Sequence, residues 1–166
     1  MNQKLNLILI IGSIAILAGI VVLAGAFSGN SQNSFSVYSN SVLTAENNDY
    51  DFGTISMANG NVSYKFKLKN EGNEKIIIKK VYTSCMCTKA ALLIGDRRVG
   101  PFGMPGHGIV PSISETLNPG QSTDVEVTFD PTAHGPAGVG RIDRMVSLEN
   151  DAGLPLEFRF SANVTP

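Results

Sequence analysis

No tryptophan occurs in this sequence, and cysteine and histidine occur only twice each. The missing tryptophan and the near-adjacent cysteines exclude the Cys, Trp, Cys core of antibody domains. Charge is equally sparse: 16% of residues are charged and the net charge is -1, so no basic field exists to hold a phosphate backbone, and nucleic-acid binding is excluded. No G-x-S-x-G, H-E-x-x-H, Gly-rich phosphate loop or calcium-loop string appears. Asp49, Asp51, Asp130, Asp143 and Glu149 are scattered among turns and strands rather than paired, so the residues suggest no enzyme. A heptad or a long 3.6-residue apolar period is also lacking, which excludes a helical domain.

What the chain does have begins with one long apolar run. Leu5 to Phe27 contains no charge, and Asn6 and Ser13 are its only strongly polar interruptions. Its 23 residues are enough for a helix to cross the ~30 Å hydrocarbon core of a bilayer, which needs about 20. A cleaved signal peptide is the competing reading, because Ala24, Gly25 and Ala26 form a small-residue cleavage site, but its apolar region should be roughly 7 to 15 residues. Lys4 and the α-amino group, the only positive charges ahead of the run, orient residues 1–4 to the cytoplasm and the remainder outward. Residues 28–42, with six Ser and three Asn and no charge, hold too little apolar surface to fold and read as a tether. The expectation is a single-pass, membrane-held protein whose domain, residues 43–166, faces the cell surface or periplasm.

Within that domain the period is two. In "NVSYKFKLKNEG", Val62, Tyr64, Phe66 and Leu68 alternate with Ser63, Lys65, Lys67 and Lys69, as in a strand with one wet face. "EKIIIKKVYTSC" follows a turn at 70–73, and its alternation slips near Lys79 and Lys80, where a bulge fits. "STDVEVTF" aligns Val125, Val127 and Phe129. "LPLEFRFSANV" aligns Leu154, Leu156, Phe158, Phe160, Ala162 and Val164, and "RIDRMVSLENDAG" supplies a strand and then a turn. Seventeen Gly and eight Pro punctuate the segments. The fold class expected is all-β: an antiparallel immunoglobulin-like sandwich of about seven strands, preceded by one transmembrane helix.

Several short strings sit at telling places: Phe52, Gly53 and Ile55; Asn70 and Gly72; Cys85, Cys87 and Thr88; and Pro119, Gly120 and Gln121 ahead of a V-x-F strand. Together they resemble the bacterial family known as domain of unknown function 1573, an immunoglobulin-like domain related to the ASPM, SPD-2 and Hydin group. The resemblance implies a β-sandwich and leaves biochemistry open. Met86 between the cysteines, where the family more often has Gly, and a Gly-rich insertion, "GDRRVGPFGMPGHGIVPSISE", depart from its pattern.

The chemistry concentrates in "VYTSCMCTKA". On a strand, residues i and i+2 share a face with Cα atoms about 6.6 Å apart, near the upper edge of disulfide geometry at ~6.8 Å, so a Cys85–Cys87 bond would be strained unless the chain turns there. Two thiolates on one face suit copper(I) or zinc, with imidazole or thioether completing the set. His107 and Met104 in "GPFGMPGHG" and His134 in "DPTAHGPAG" lie in Gly/Pro loops, which is where a sandwich places binding groups. The candidate metal site is therefore Cys85, Cys87, His107 and His134, with Met104 or Met86 as a further ligand. Three alternatives stand beside it: a disulfide, a redox pair, and two thiols packed as small hydrophobes. The partner expected, apart from the membrane, is an unidentified protein or cell-envelope component.

Overall fold

The computed structural model describes residues 42–166. The expected membrane span and nearly all of the tether lie outside the described residues, among which no helix is long and apolar enough to cross a membrane.

Ten strands form two five-stranded sheets. The first sheet has the order β1 (Leu43–Ala45), β3 (Val62–Asn70), β8 (Ser122–Phe129), β5 (Thr88–Ile94), β6 (Arg97–Phe102). The second runs β2 (Asp49–Ser56), β10 (Leu156–Thr165), β9 (Gly140–Asn150), β4 (Ile76–Thr83), β7 (Glu115–Leu117). Two expectations are corrected here. Ten strands replace about seven, because β1 and β7 are three-residue pieces too short to carry a period. The sandwich is also not wholly antiparallel, since β2 and β10 pair in parallel, Arg159 opposite Asp49 through Thr165 opposite Ser56. Such a pair joins strands from opposite ends of the domain, and no local turn announces it.

The alternating segments fold as their periods require. Val125, Val127 and Phe129 of β8 are buried, as are Phe66 and Leu68 of β3, which lie opposite Val125 and Thr123 in the register. In β4 the register shifts between Ile78 and Lys80, the site where the alternation slips. The bulge keeps Ile76 and Ile78 before it, and Val81 and Thr83 after it, buried. Its freed Lys79 carbonyl accepts from the Ile113 N–H at 2.8 Å. Phe158, Phe160, Ala162 and Val164 of β10 line the other half of the core, whereas Leu154, expected with them, is 91% exposed in the turn ahead of the strand. The Phe158 and Phe66 rings meet at 4.8 Å and bridge the two sheets.

Two of the chain's crossings between sheets lie side by side at one end of the sandwich. The β4–β5 crossover, residues 84–87, carries both cysteines. The β8–β9 crossover, residues 130–139, carries His134 ahead of a single 3₁₀ turn, Gly135–Gly138. Thr88, the first residue of β5, lies opposite Phe129, the last of β8, so the two crossovers are neighbours.

Candidate functional site

The cysteines are on a turn and not on a strand. The Thr88 N–H donates to the Cys85 carbonyl at 3.1 Å, closing a four-residue turn over Met86 and Cys87. Thr83 braces it from within the core: its hydroxyl lies 3.0 Å from the Cys85 carbonyl and 3.2 Å from that of Thr88. From the neighbouring crossover, the Asp130 N–H donates to the Cys87 carbonyl at 2.9 Å. On the β9 side, Ser84 exchanges two bonds with Met145, N–H to carbonyl and N–H to hydroxyl, both at 2.9 Å. The turn contracts the Cα separation of the cysteines to 5.3 Å, inside the ~4.4 to 6.8 Å range that a disulfide needs. The two sulfurs are joined. The premise of a straight strand thus fails, and with it the geometric objection to a Cys85–Cys87 bond.

His134 completes the group. Its Nε2 lies 3.1 Å from the Cys85 sulfur, and the ligand atoms of Cys85, Cys87 and His134 all fall within 4.8 Å of one another. Cys87 is 2% exposed, Cys85 is half-buried, and His134 is exposed. His107 is not in the group: it sits on the exposed loop between β6 and β7, in a turn closed by its N–H on the Met104 carbonyl at 3.2 Å. Met104 is half-buried in that same turn. The loop does start at this end of the sandwich, where the Gly103 carbonyl accepts from the Thr83 N–H at 3.1 Å. Of the two histidines, then, the structure brings His134 to the sulfurs and leaves His107 outside the cluster.

Arg144 is the residue that sequence reasoning missed. It lies opposite Phe160 in the β9–β10 register, at an alternating position shared with the buried Ile142, Val146 and Leu148. Its Nε donates to the Cys87 sulfur at 3.4 Å, and its Nη1 to the Asp143 carbonyl at 2.8 Å. An arginine on the apolar face of "RIDRMVSL" was the available signal, since a charge placed there must find a partner. The Thr88 hydroxyl is a further neighbour of the Cys87 sulfur, at 3.6 Å, and the Cys87 N–H donates to the Cys85 sulfur at 3.4 Å.

Two clefts flank the cluster. One, of about 310 Å³, is lined by His134, Gly138, Val139, Arg141, Ile142 and Arg144, and so includes the two side chains that touch the sulfurs. A larger one, of about 650 Å³, runs over β2, β10 and β9 between Asp49, Asp51 and Asp143 on one hand and Arg141, Arg144 and Arg159 on the other. The charges there balance. Asp51 takes the Gly53 N–H at 2.9 Å, which together with Arg141 at 3.3 Å holds its carboxyl below the ordinary value.

Comparison with known proteins bears on the scaffold. The family model described as protein of unknown function (DUF1573) matches residues 43–93, a stretch that includes the cysteine turn. No curated protein matches the sequence. Among solved structures, a protein of unknown function from Porphyromonas gingivalis W83 is similar over 80% of this chain and 51% of its own, with TM-score 0.56 and 15% identity. A family 123 glycoside hydrolase from Clostridium perfringens aligns over 70% of this chain and 22% of its own, with TM-score 0.51 and 8% identity. A PapD-like domain of human CEP192 aligns over 74% of this chain and 84% of its own, with TM-score 0.46 and 16% identity. The chain spans about half the length of the Porphyromonas protein and under a quarter of the hydrolase. At these identities the likeness bears on the fold alone, an all-β sandwich of two sheets.

Proposed function

We propose that this protein is an extracytoplasmic, membrane-anchored binding module without catalytic activity, and that its binding group is the set Cys85, Cys87 and His134. The observation that carries the reading is the convergence of these three ligand atoms, within 4.8 Å of one another, from two separate crossovers at one end of the sandwich. Two thiolates and an imidazole are soft and borderline donors, the chemistry that selects copper(I) or zinc. Three protein ligands suit trigonal copper(I), or zinc with a fourth position open. The donor set fits a metal only with the sulfurs reduced, since a disulfide offers no thiolate. Arg144 and Thr88 beside Cys87 would then serve as outer partners that offset thiolate charge.

The test is metal stoichiometry on the full chain, reduced and handled without oxygen, with zinc and copper(I) supplied separately. One ion per chain is expected. Cys85→Ser, Cys87→Ser and His134→Ala should each lower affinity by roughly tenfold or more, whereas His107→Ala should leave it unchanged. Equal binding by wild type and both cysteine variants would sink the metal reading and leave a scaffold that binds its partner elsewhere.

A further inference from the structure

The cysteine turn does not need its sulfur–sulfur bond in order to hold its shape. Hydrogen bonds from Thr88, Thr83 and Asp130 fix the carbonyls of Cys85, Cys87 and Thr88 by backbone and hydroxyl groups alone. A bond between residues two apart also closes a very short ring, and in the chain-entropy account a small ring constrains the unfolded chain little. A staple is therefore a poor explanation for the pair. Its surroundings are those of an exchangeable disulfide: one sulfur is reachable and the other is held among donors. Cys85 is half-buried, with the exposed His134 placing its Nε2 at 3.1 Å from the sulfur. Cys87 is 2% exposed, with Arg144 Nε at 3.4 Å and the Thr88 hydroxyl at 3.6 Å from its sulfur. Exchange runs fastest when the attacked sulfur is open and the departing one is stabilised as a thiolate, and a neighbouring guanidinium supplies that stabilisation.

We infer that Cys85–Cys87 is a redox gate opened by a dithiol reductant, with Cys85 the attacked sulfur and Cys87 the leaving one. The reductant's thiolate attacks the Cys85 sulfur, forming a mixed disulfide and breaking the Cys85–Cys87 bond, whose electron pair leaves on Cys87 beside Arg144. The reductant's second sulfur then attacks its first, forming the reductant's own disulfide and releasing Cys85. Two electrons pass to the protein, and the two protons of the dithiol balance the two thiols formed. The inference goes beyond metal binding and does not depend on it, because it rests on the sulfurs and their neighbours alone.

The test uses the full oxidised chain in metal-free buffer with a chelator, counting free thiols by alkylation while circular dichroism follows the fold. Dithiothreitol forms one arm and a small C-x-x-C protein dithiol the other. The pair should open in at least one arm with the fold retained, and the faster arm identifies the source of reductant. Arg144→Gln should slow opening about threefold or more, and Arg144→Lys should restore most of the rate, because the leaving sulfur keeps a cation. Independently of those variants, Cys85 in Cys87→Ser should react with glutathione disulfide at least ~tenfold faster than Cys87 does in Cys85→Ser. Opening only on unfolding, or equal reactivity of the two lone cysteines, overturns the inference. Because metal binding is measured on protein already reduced, a failed gate and a failed metal site give different results.

Discussion

Asn70 offers the sharpest test of how this fold is held. It is fully buried at the end of β3, and its side chain makes three hydrogen bonds: Nδ2 donates to the Glu74 carbonyl at 2.7 Å and to the Leu117 carbonyl at 3.0 Å, while Oδ1 accepts from the Gly72 N–H at 3.0 Å. One side chain thus closes the β3–β4 turn and ties it to β7. At a net of about 1 kcal/mol per bond, Asn70→Ala should cost about 3 kcal/mol, because it leaves three backbone groups without their partner. For a folded domain of this size that corresponds to a fall in Tm on the order of 10 °C. Asn70→Asp separates hydrogen bonding from shape. The carboxylate still accepts from Gly72, but it faces two carbonyl oxygens with no proton to give, so at pH 7 it should be less stable than Asn70→Ala. Burial raises the folded pKa of that new carboxyl above its unfolded value near ~3.9, so the variant is most stable below that value and loses stability as pH rises toward the folded one. Urea unfolding of the full chain, followed by circular dichroism at pH 4 and pH 7, gives both numbers. An Asn70→Ala loss below ~1 kcal/mol, or an Asn70→Asp variant as stable as wild type at pH 7, would refute the reasoning.

Two further outcomes follow from the packing and the electrostatics. Phe158→Ala removes a fully buried ring that meets Phe66 across the two sheets at 4.8 Å and should cost about 3 to 5 kcal/mol, measured as a lower urea midpoint at unchanged m-value. Asp51 should titrate below its ordinary 3.8 by NMR, and because the Gly53 N–H is the leading cause, with Arg141 behind it, Arg141→Gln should return part of the shift and leave the carboxyl still lowered. With the folded value depressed, the stability Asp51 contributes is present above its ordinary pKa and is lost as pH falls through the lowered one. A larger return in Arg141→Gln than the shift it leaves behind would mean that the ion pair, and not the turn, controls this carboxyl.

What could be read from residues alone was whatever depends on neighbours a few positions apart. The β3 and β8 alternations, the bulge in β4 and the turn after β9 each follow from local period and turn chemistry, and each is where expected. The parallel β2–β10 pair was not legible, because it depends on which strand reaches the open edge of the second sheet, a choice made by the whole topology. Leu154 illustrates a different failure: it continues the apolar alternation of β10 by one step, yet Pro155 follows it and the strand starts at Leu156, so its place on the pattern did not make it core.

The site shows the same division at closer range. Residue types were enough to pick out the sulfurs and an imidazole, but two histidines in similar Gly/Pro loops look alike until the fold decides between them. His134 leads out of β8, whose last residue pairs with the first residue after the cysteine turn, so a strand register carries it to the sulfurs. His107 hangs on a loop that rejoins the sandwich at β7, and no register carries it there. The turn itself was hidden by the habit of reading i and i+2 as strand neighbours. "SCMC" lies where the chain leaves one sheet for the other, and a crossover must bend. That bend leaves Cys85 half-buried and seats Cys87 under Arg144, and the difference between the two sulfurs is what any chemistry at this site has to work with.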